Sequence, residues 1–239
     1  MTWDHSFDFL VMGSGAGGLT GALFARDLGG EVLVVEKGPH FGGTSAMSGG
    51  AIWVPCNHFL PGLGVEDSRE LALRYLTNST QGEVDRARLE AYVDHAPTMV
   101  RELEARSHVK FQPLVGYPDY DDHLEGALPS GRTLGATPWH GRHLGEALAE
   151  LRPCHPQTNL LGSSLLEHAH EAPLLMSTAL RSRLVSTWRL TRSFGRIPLS
   201  WIYGRDPFLT MGQALMARFR VSLIERKVPL WLNATITEL

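Results

Sequence analysis

Three glycines near the start of the sequence stand at a spacing that lets a main-chain loop approach phosphate groups. Gly13, Gly15 and Gly18 fit the pattern G-x-G-x-x-G. Gly13 permits a tight turn after a strand because it lacks a Cβ. Gly15 leaves room for a pyrophosphate, and Gly18 lets the following helix pack closely on the strand. The N–H groups at the start of that helix, including those of Ala16 and Gly17, would point at the phosphate charge.

An acidic residue follows at the distance where a dinucleotide fold needs a second polar contact. Glu36 lies 18 residues after Gly18, at the end of a second apolar segment. A carboxylate at this place can accept the hydrogens of both hydroxyl groups of an adenosine ribose. The alternative is an ordinary solvated carboxylate at a strand end. Because Glu36 would repel a 2′-phosphate, the sequence disfavours NADP as the ligand.

The elements that must position these residues are predicted from the apolar pattern. A strand over Phe7–Met12 leads into the glycine loop, a helix over Leu19–Leu28 follows it, and a second strand covers Glu31–Val35. A G-x-G-x-x-G pattern alone is also typical of a plain turn. The strand, the helix, the second strand and Glu36 together predict an α/β nucleotide-binding fold.

A second glycine-rich stretch distinguishes a flavin from a nicotinamide cofactor. After Lys37 the chain does not enter the strand–helix crossover expected of a simple NAD domain. It enters a stretch in which glycines let the main chain pass a flat ring and hydroxyl groups can bond a ribityl chain. The predicted cofactor residues here are Lys37, which precedes the stretch, and, within it, Gly43, Thr44, Ser45, Ser48, Gly49 and Gly50. The alternative is a flexible loop.

The residues from Phe7 to Asn57 resemble the fumarate reductase and succinate dehydrogenase flavoprotein superfamily. The segment Gly49–Pro55, with the sequence GGAIWVP, is most similar to the 3-ketosteroid Δ1-dehydrogenase branch. The resemblance implies a Rossmann-like FAD-binding domain (the GR2-type flavoprotein fold) with the start of an inserted α+β substrate domain. It also implies FAD, with Gly13–Gly18 at the pyrophosphate, Glu36 at the adenosine ribose, and Gly43–Gly50 along the ribityl and isoalloxazine parts.

The same resemblance implies how the chain is divided. Residues 1–110 would form the first part of the FAD-binding domain, residues 111–205 a substrate or cap region with connecting helices, and residues 206–239 an incomplete return to the FAD-binding domain. More than half of the family's usual length would follow Leu239. The sequence is therefore expected to be the N-terminal portion of a flavoenzyme, apparently truncated.

One candidate catalytic residue follows from the resemblance. Gly116–Tyr120 is similar to the family's Gly-Tyr-x-Asp-Tyr stretch, which contributes a tyrosine to the substrate pocket. Tyr120 is the match, and its implied role is to hydrogen-bond a second tyrosine that acts as the base and would lie beyond Leu239. The alternative is a loop tyrosine packed on the surface. Asp119 is predicted to cap a turn, and Asp121 stands where related enzymes often have an aromatic residue.

The activity that the resemblance implies is FAD-dependent Δ1-dehydrogenation of a 3-ketosteroid, an oxidation of a CH–CH group. A proton leaves the carbon next to the carbonyl, and a hydride leaves its neighbour for flavin N5. The implied partners are a small-molecule substrate, a steroid, and an external electron acceptor. Two alternatives stay open: another enzyme of the superfamily that acts on an enoate or a fumarate-like acid, and an inactive remnant that holds FAD weakly or not at all.

Composition limits the remaining possibilities. The 239 residues are 43% hydrophobic and 20% charged, which is typical of a globular protein. A net charge of −3 gives no reason to expect a nucleic acid or an anionic membrane as partner. Neither a basic leader nor an apolar run long enough for a membrane span occurs, which favours the cytoplasm. The two cysteines and eleven histidines lack ligand spacing, so no metal site is predicted.

Four further local expectations concern the rest of the chain. Apolar residues at spacings of three and four predict a helix over Asp85–Arg106, split or kinked at Pro97. Frequent Gly and Pro predict loop over residues 112–140. Thr210 and Gln213 match a capping box at the start of a late helix. Thr235–Thr237 is predicted to begin a strand.

Overall fold

The computed structural model describes residues 4–156 and 205–238, together with short pieces between them. These pieces are residues 159–160, 163–164, 183–184, 187–188, 191, 194–195 and 197–203. No helix within these described ranges is both long enough and apolar enough to cross a membrane.

Helices and short strands alternate along the described chain. The α-helices are α1 Ala16–Asp27, α2 Leu60–Leu63, α3 Arg69–Ser79, α4 Arg86–Arg106, α5 Ala147–Glu150, α6 Ile197–Tyr203 and α7 Met211–Glu225. The strands are β1 Phe9–Met12, β2 Val32–Val35, β3 Ala51–Trp53, β4 Phe111–Pro113, β5 Thr133–Ala136, β6 Trp139–His140, β7 Asn159–Leu160, β8 Ser163–Ser164, β9 Phe208–Leu209 and β10 Leu230–Trp231. Short 3-10 turns cover Gly43–Met47 and Gly141–Leu144.

The chain packs as two compact units. The first unit consists of Met1–Gly50, Ser107–Val109 and Thr137–Leu239. The second unit consists of Ala51–Arg106 and Lys110–Ala136. This division rests on packing alone, and the division into cofactor-binding and substrate regions stays a prediction.

A parallel sheet in the order β1-β2-β10 forms the frame of the first unit. Phe9 of β1 pairs with Val32 of β2, and Leu230 of β10 pairs with Val34. The middle strand β2 is buried at all four positions, as its unbroken run of Val and Leu requires. Helix α1 follows β1 and buries Leu19, Ala22 and Leu23. The predicted strand–loop–helix–strand order is confirmed: each element starts one to three residues from its predicted start and ends within one residue of its predicted end.

Helix α7 lies directly against the 42–50 segment, and the contact is main chain to main chain. A Cβ on Gly212 would collide with the carbonyl oxygen of Ser45, and a Cβ on Gly50 would collide with the backbone of Met211. The Gly212 N–H donates to the Ser48 carbonyl at 3.1 Å. Only glycine at positions 50 and 212 permits this approach.

The predicted capping box at the start of α7 is wrong. Thr210 precedes the helix, but its side chain makes no capping hydrogen bond. The Gln213 Nε2 group donates instead to the carbonyl oxygen of Arg152, at 2.8 Å. The local pattern failed because a distant carbonyl competes for the Gln213 amide.

The second unit has an antiparallel sheet in the order β3-β5-β4 and the helix pair α3 and α4. Ser68 caps α3 by accepting a hydrogen bond from the Leu71 N–H at 3.2 Å. Helix α4 runs unbroken through Pro97, so the helix is not split there, and the alternative of a kink at Pro97 stays a prediction. The proline ring is buried with Val93 and Val100 on the core side of the helix, and this packing favours a continuous helix. Residues 112–140 are also not all loop, because strands β5 and β6 lie within them.

A buried ion cluster joins the loops of the second unit. The Arg132 side chain is completely buried and donates to Asp67 through Nε at 3.0 Å and Nη2 at 2.7 Å. Its Nη1 donates to Asp119 Oδ2 at 2.7 Å. The Trp53 indole donates to the other Asp119 oxygen at 2.6 Å. Burial alone would lower the pKa of Arg132, but the bonds and charges of Asp67 and Asp119 raise it further than burial lowers it.

Asp119 therefore does more than cap a turn. One of its carboxylate oxygens also accepts the Leu128 N–H at 2.9 Å, which joins the two ends of the 119–128 loop. The next residue, Tyr120, is thus attached to a buried and fixed neighbour.

Replacing Arg132 with Met should destabilise the second unit by about 3–5 kcal/mol, because two buried carboxylates lose their cation. Hydrogen exchange read by mass spectrometry over residues 51–106 and 110–136 would measure the loss of protection. Arg69→Met is the matched control, since the Arg69–Asp94 pair has the same two-bond geometry but is exposed. Equal loss of protection in both variants would contradict the importance of the buried cluster.

Candidate functional site

A cavity of about 570 Å³ lies in the first unit at the carboxyl ends of β1 and β2. This is the edge of a parallel sheet where ligands of α/β folds bind. Its volume is in the range of sites for small organic ligands. The lining residues are Met12, Gly13, Ser14, Gly15, Val35, Glu36, Lys37, Gly43, Thr44, Arg152, Ala234, Thr235 and Ile236.

Six of the predicted cofactor residues line this cavity, from three separate segments of the sequence. They are Gly13, Gly15, Glu36, Lys37, Gly43 and Thr44. The structure therefore brings the two glycine-rich stretches and the acidic residue to one place. Their predicted role in holding a cofactor is taken up below as a proposal.

Glu36 is held at the cavity by hydrogen bonds from two loops. One carboxylate oxygen accepts the Ser14 N–H at 3.1 Å and the Ser14 hydroxyl at 2.5 Å. The other oxygen accepts the Gly38 N–H at 2.9 Å. Partial burial raises the pKa of Glu36, but these bonds and the neighbouring Lys37 charge outweigh it and hold the pKa below its ordinary value.

An ionised Glu36 has a clear consequence for ligand choice. Its second oxygen retains acceptor capacity beyond the bond from Gly38, so it can accept a hydroxyl hydrogen. A 2′-phosphate would meet a negative charge at the same place. The structure thus gives a physical basis for the expected preference against NADP.

Ser14 is a site residue that the sequence analysis did not select. It is fully buried, and its hydroxyl oxygen accepts the Gly42 N–H at 3.0 Å while it donates to Glu36. Ser14 thereby joins the glycine loop, the end of β2 and the second glycine-rich stretch. The available signal was a serine inside the G-x-G-x-x-G pattern. Its hydrogen-bond partners lie 22 and 28 residues away, so the local sequence does not reveal them.

Backbone conformation and packing bear differently on the need for glycine at the three positions of the loop. Gly13 adopts a φ of +90°, which favours glycine. A Cβ on Gly18 would collide with the Gly13 carbonyl, so Gly18 is required for packing of α1 on the loop. Gly15 has an ordinary φ of −73°, and a Cβ there would meet only the Ser45 hydroxyl at 3.6 Å.

Nothing in the protein's own packing therefore requires glycine at position 15. A ligand that approaches the main chain at this point does require it. The first turn of α1 has no side-chain cap from Gly15, although the Ala16 N–H donates to the Ser45 hydroxyl at 3.1 Å. Other N–H groups of that turn, which include that of Gly17, have no partner within the helix. These features fit the phosphates of a dinucleotide.

The later part of the second glycine-rich stretch, from Ser45 to Gly50, supports neighbouring elements by contacts and does not line the cavity. The Ser45 hydroxyl caps α1, and the Ser48 hydroxyl donates to the Ser45 carbonyl at 2.8 Å and accepts the Gly50 N–H at 3.1 Å. Gly50 contacts the start of α7. Ala16, Gly17, Gly18, Ser45, Ser48, Gly49 and Gly50 are not among the lining residues of the cavity.

The sequence analysis also missed one side of the cavity, formed by Ala234, Thr235 and Ile236. The Ala234 N–H donates to the Glu36 carbonyl at 2.9 Å, which fixes this segment beside the end of β2. The strand predicted to begin at Thr235 is not present in the structure, so that prediction is wrong. The apolar and β-branched residue types face the cavity in irregular backbone instead.

Tyr120 belongs to the second unit, and its exposed fraction is 88%. Its hydroxyl group hydrogen-bonds that of Tyr117, and this bond, with partial burial, raises the pKa of Tyr117. The neighbouring Asp121 N–H donates to the Tyr75 hydroxyl at 3.3 Å, and the Asp121 carboxylate accepts the Ser79 hydroxyl at 2.6 Å. Tyr120 is thus an exposed phenol on a well-supported loop.

Known proteins resemble the chain over nearly its whole length. Residues 8–239 match the family model described as FAD binding domain. The chain is 34% identical to a 3-oxosteroid 1-dehydrogenase of Comamonas testosteroni over 237 residues, covering 99% of this chain and 41% of the relative. It is 41% identical over 129 residues to a 4-oxocyclohexanecarboxylate 2-dehydrogenase of Sinomonas cyclohexanicum, covering 54% of this chain and 22% of the relative.

A solved structure resembles the fold closely. The crystal structure of 3-ketosteroid Δ1-dehydrogenase from Sterolibacterium denitrificans, in complex with 1,4-androstadiene-3,17-dione, matches with a TM-score of 0.85 and 40% identity. The match covers 98% of this chain and 42% of that protein. The chain therefore spans about two fifths of the length of the proteins it matches over its whole extent.

Replacing Ser14 with Ala should raise the pKa of Glu36, because the carboxylate loses the hydroxyl bond. At neutral pH the variant should be about 1–3 kcal/mol less stable than the parent. A lowered pKa stabilises the fold above the ordinary glutamate pKa, and this contribution disappears as pH falls through the folded-state pKa. Part of the difference between variant and parent should therefore vanish in acid.

Titration of the Glu36 carboxyl carbon by NMR and urea unfolding at several pH values would measure both effects. Ser48→Ala is the control, since Ser48 makes its bonds to Ser45 and Gly50 and not to Glu36. An unchanged Glu36 pKa in the Ser14 variant would contradict the role assigned to Ser14.

Proposed function

The chain belongs to the FAD binding domain family, and from this premise we propose that the whole protein is an FAD-dependent dehydrogenase of 3-ketosteroids. Membership confirms the predicted superfamily resemblance, the Rossmann-like flavoprotein fold class and the predicted cofactor, FAD. The observation that carries the proposed activity is the likeness to 3-oxosteroid 1-dehydrogenases over 99% of the chain.

We propose that FAD is held by the cavity of the first unit. The main chain of Gly13–Gly18 would contact the pyrophosphate, and Glu36 would accept a ribose hydroxyl, with Lys37 beside it. The open main chain at Gly15 and the ionised Glu36 support this assignment. Gly43 and Thr44 line the same cavity, and hydrogen bonds of Ser45, Ser48 and Gly50 hold the stretch in place. Gly49 belongs to the same proposed site.

FAD, when bound, accepts the hydride that leaves the substrate. The chain's own contribution is to hold the dinucleotide in one orientation through a loop that Ser14 bonds to Glu36 and Gly42. For the second unit we propose that the Tyr120 phenol contributes to the substrate pocket and hydrogen-bonds the proton-accepting group. The fixed backbone at Asp119 and the exposed hydroxyl of Tyr120 support this role. The external electron acceptor and a cytoplasmic location belong to the same proposal.

One relative favours a second candidate substrate. The 4-oxocyclohexanecarboxylate 2-dehydrogenase is 41% identical over 54% of the chain, a higher identity over a shorter segment than that of the steroid enzyme. Its name describes oxidation beside a ring ketone, which is the same chemical step on a smaller molecule. The two candidates share the FAD site and differ in the size of the ketone.

Gly15→Val should abolish FAD binding while the fold is retained, because a Cβ at position 15 has only an ordinary contact with the Ser45 hydroxyl, at 3.6 Å, whereas the branched side chain occupies the space of the pyrophosphate. Gly18→Ala should act differently and destabilise the fold itself, since its Cβ collides with the Gly13 carbonyl. Equilibrium titration with FAD, followed by flavin fluorescence, and thermal unfolding of both variants would separate the two effects. Undiminished FAD binding by Gly15→Val would contradict the assigned pyrophosphate position.

A 3-ketosteroid should bleach the visible flavin absorbance of the FAD-loaded whole protein under anaerobic conditions, because the hydride reduces the cofactor. 4-Oxocyclohexanecarboxylate tests the second candidate in the same assay, and fumarate with a chemical reductant tests the enoate alternative. Bleaching by the small ring ketone alone would favour the second candidate. Bleaching by neither ketone would contradict both.

A further inference from the structure

We propose that Arg152 is a ligand of the FAD diphosphate and supplies the positive charge that the glycine loop lacks. This inference rests on the proposed function, because it assigns a further residue to the same FAD site. Arg152 lines the cavity with Gly13, Gly15 and Thr44, although it lies more than a hundred residues after them in the sequence. It is the only arginine among the described residues that line this cavity.

The charge balance of the cavity favours such a group. A diphosphate brings two negative charges at neutral pH, and Glu36 already contributes a third. The opposing charges are Lys37 and Arg152, together with the partial positive charge at the start of α1. Without Arg152, the ligand and Glu36 would exceed Lys37 by two negative charges, and the roughly half charge of the helix would reduce this excess to about one and a half.

The Arg152 side chain has no charged or hydrogen-bonding partner in the described part of the chain. Among the residues that the structure describes, its guanidinium group takes part in no hydrogen bond and no ion pair. The buried Arg132 of the second unit, by contrast, has two carboxylate partners. Arg152 as a residue is half-buried and lines the cavity with the glycine loop, and an arginine side chain can offer two parallel N–H donors to phosphate oxygens.

The backbone of Arg152 is fixed on both sides. Its N–H donates to the Phe41 carbonyl at 2.9 Å, and its carbonyl accepts the Gln213 side-chain amide at 2.8 Å. Phe41 in turn donates its N–H to the Glu150 carbonyl at 2.9 Å and is completely buried. None of these bonds uses the Arg152 side chain, so the side chain can be changed without loss of the supports.

The test compares ligands that differ only in the diphosphate. ADP and adenosine share the adenosine part of FAD, and ADP adds the two phosphates. Isothermal titration of the 239-residue chain with FAD, ADP and adenosine would be repeated for Arg152→Gln and Arg152→Lys. Arg88→Gln, an exposed change on α4, is the control for the loss of one positive charge that does not line the cavity.

Arg152→Gln should weaken ADP and FAD about 10-fold or more, the range of a charge-assisted hydrogen bond, and leave adenosine unchanged. Arg152→Lys should recover part of the loss, because it keeps the charge but not the fork. Thermal unfolding should be the same for both variants and the parent. Equal weakening of adenosine and ADP, or unchanged ADP affinity, would overturn the inference while leaving the FAD site intact. A parent chain that binds neither ADP nor FAD would overturn the proposed function as well.

Discussion

The cofactor side of the first unit depends on the hydrogen bonds of one buried serine. Ser14 donates to Glu36 and accepts from Gly42, and so holds the glycine loop, the end of β2 and the second glycine-rich stretch together. Ser45 makes the corresponding contact on the other side, where its hydroxyl accepts the Ala16 N–H. Because both bonds lie behind the loop, the main chain at Gly15 is left facing the cavity. These bonds restrict the conformations of the loop, and a restricted loop loses less conformational entropy when it binds a ligand.

Close backbone packing supports this arrangement from a distant part of the chain. Helix α7 begins at residue 211, yet its first turn lies in main-chain contact with Ser45 and Gly50. The same helix holds Arg152 through the Gln213 side chain. A single late helix therefore fixes the back of the glycine-rich stretch and one charged wall of the cavity. This links the position of the last described helix to the shape of a site built mostly from the first fifty residues.

The sequence alone was sufficient to predict the elements that depend on the pattern of neighbouring residues. The apolar runs predicted β1, α1 and β2, and the spacing of Gly13, Gly15 and Gly18 predicted the loop between them. Features that depend on distant partners were missed. Ser14, Arg152 and the 234–236 segment reach the cavity through contacts with residues far away in the sequence, and no local signal describes such contacts. The capping box failed for the same reason, because a carbonyl 61 residues away receives the Gln213 amide.

The central claim is that the cavity between the glycine loop and the 234–236 segment binds the dinucleotide of FAD. Competition at equilibrium tests it most directly: the 239-residue chain is titrated with FAD, and the titration is repeated at rising ADP concentration. The account predicts saturable binding of one FAD per chain, with an apparent Kd that rises in proportion to ADP. FAD binding that ADP does not displace, or no saturable FAD binding, would contradict the account.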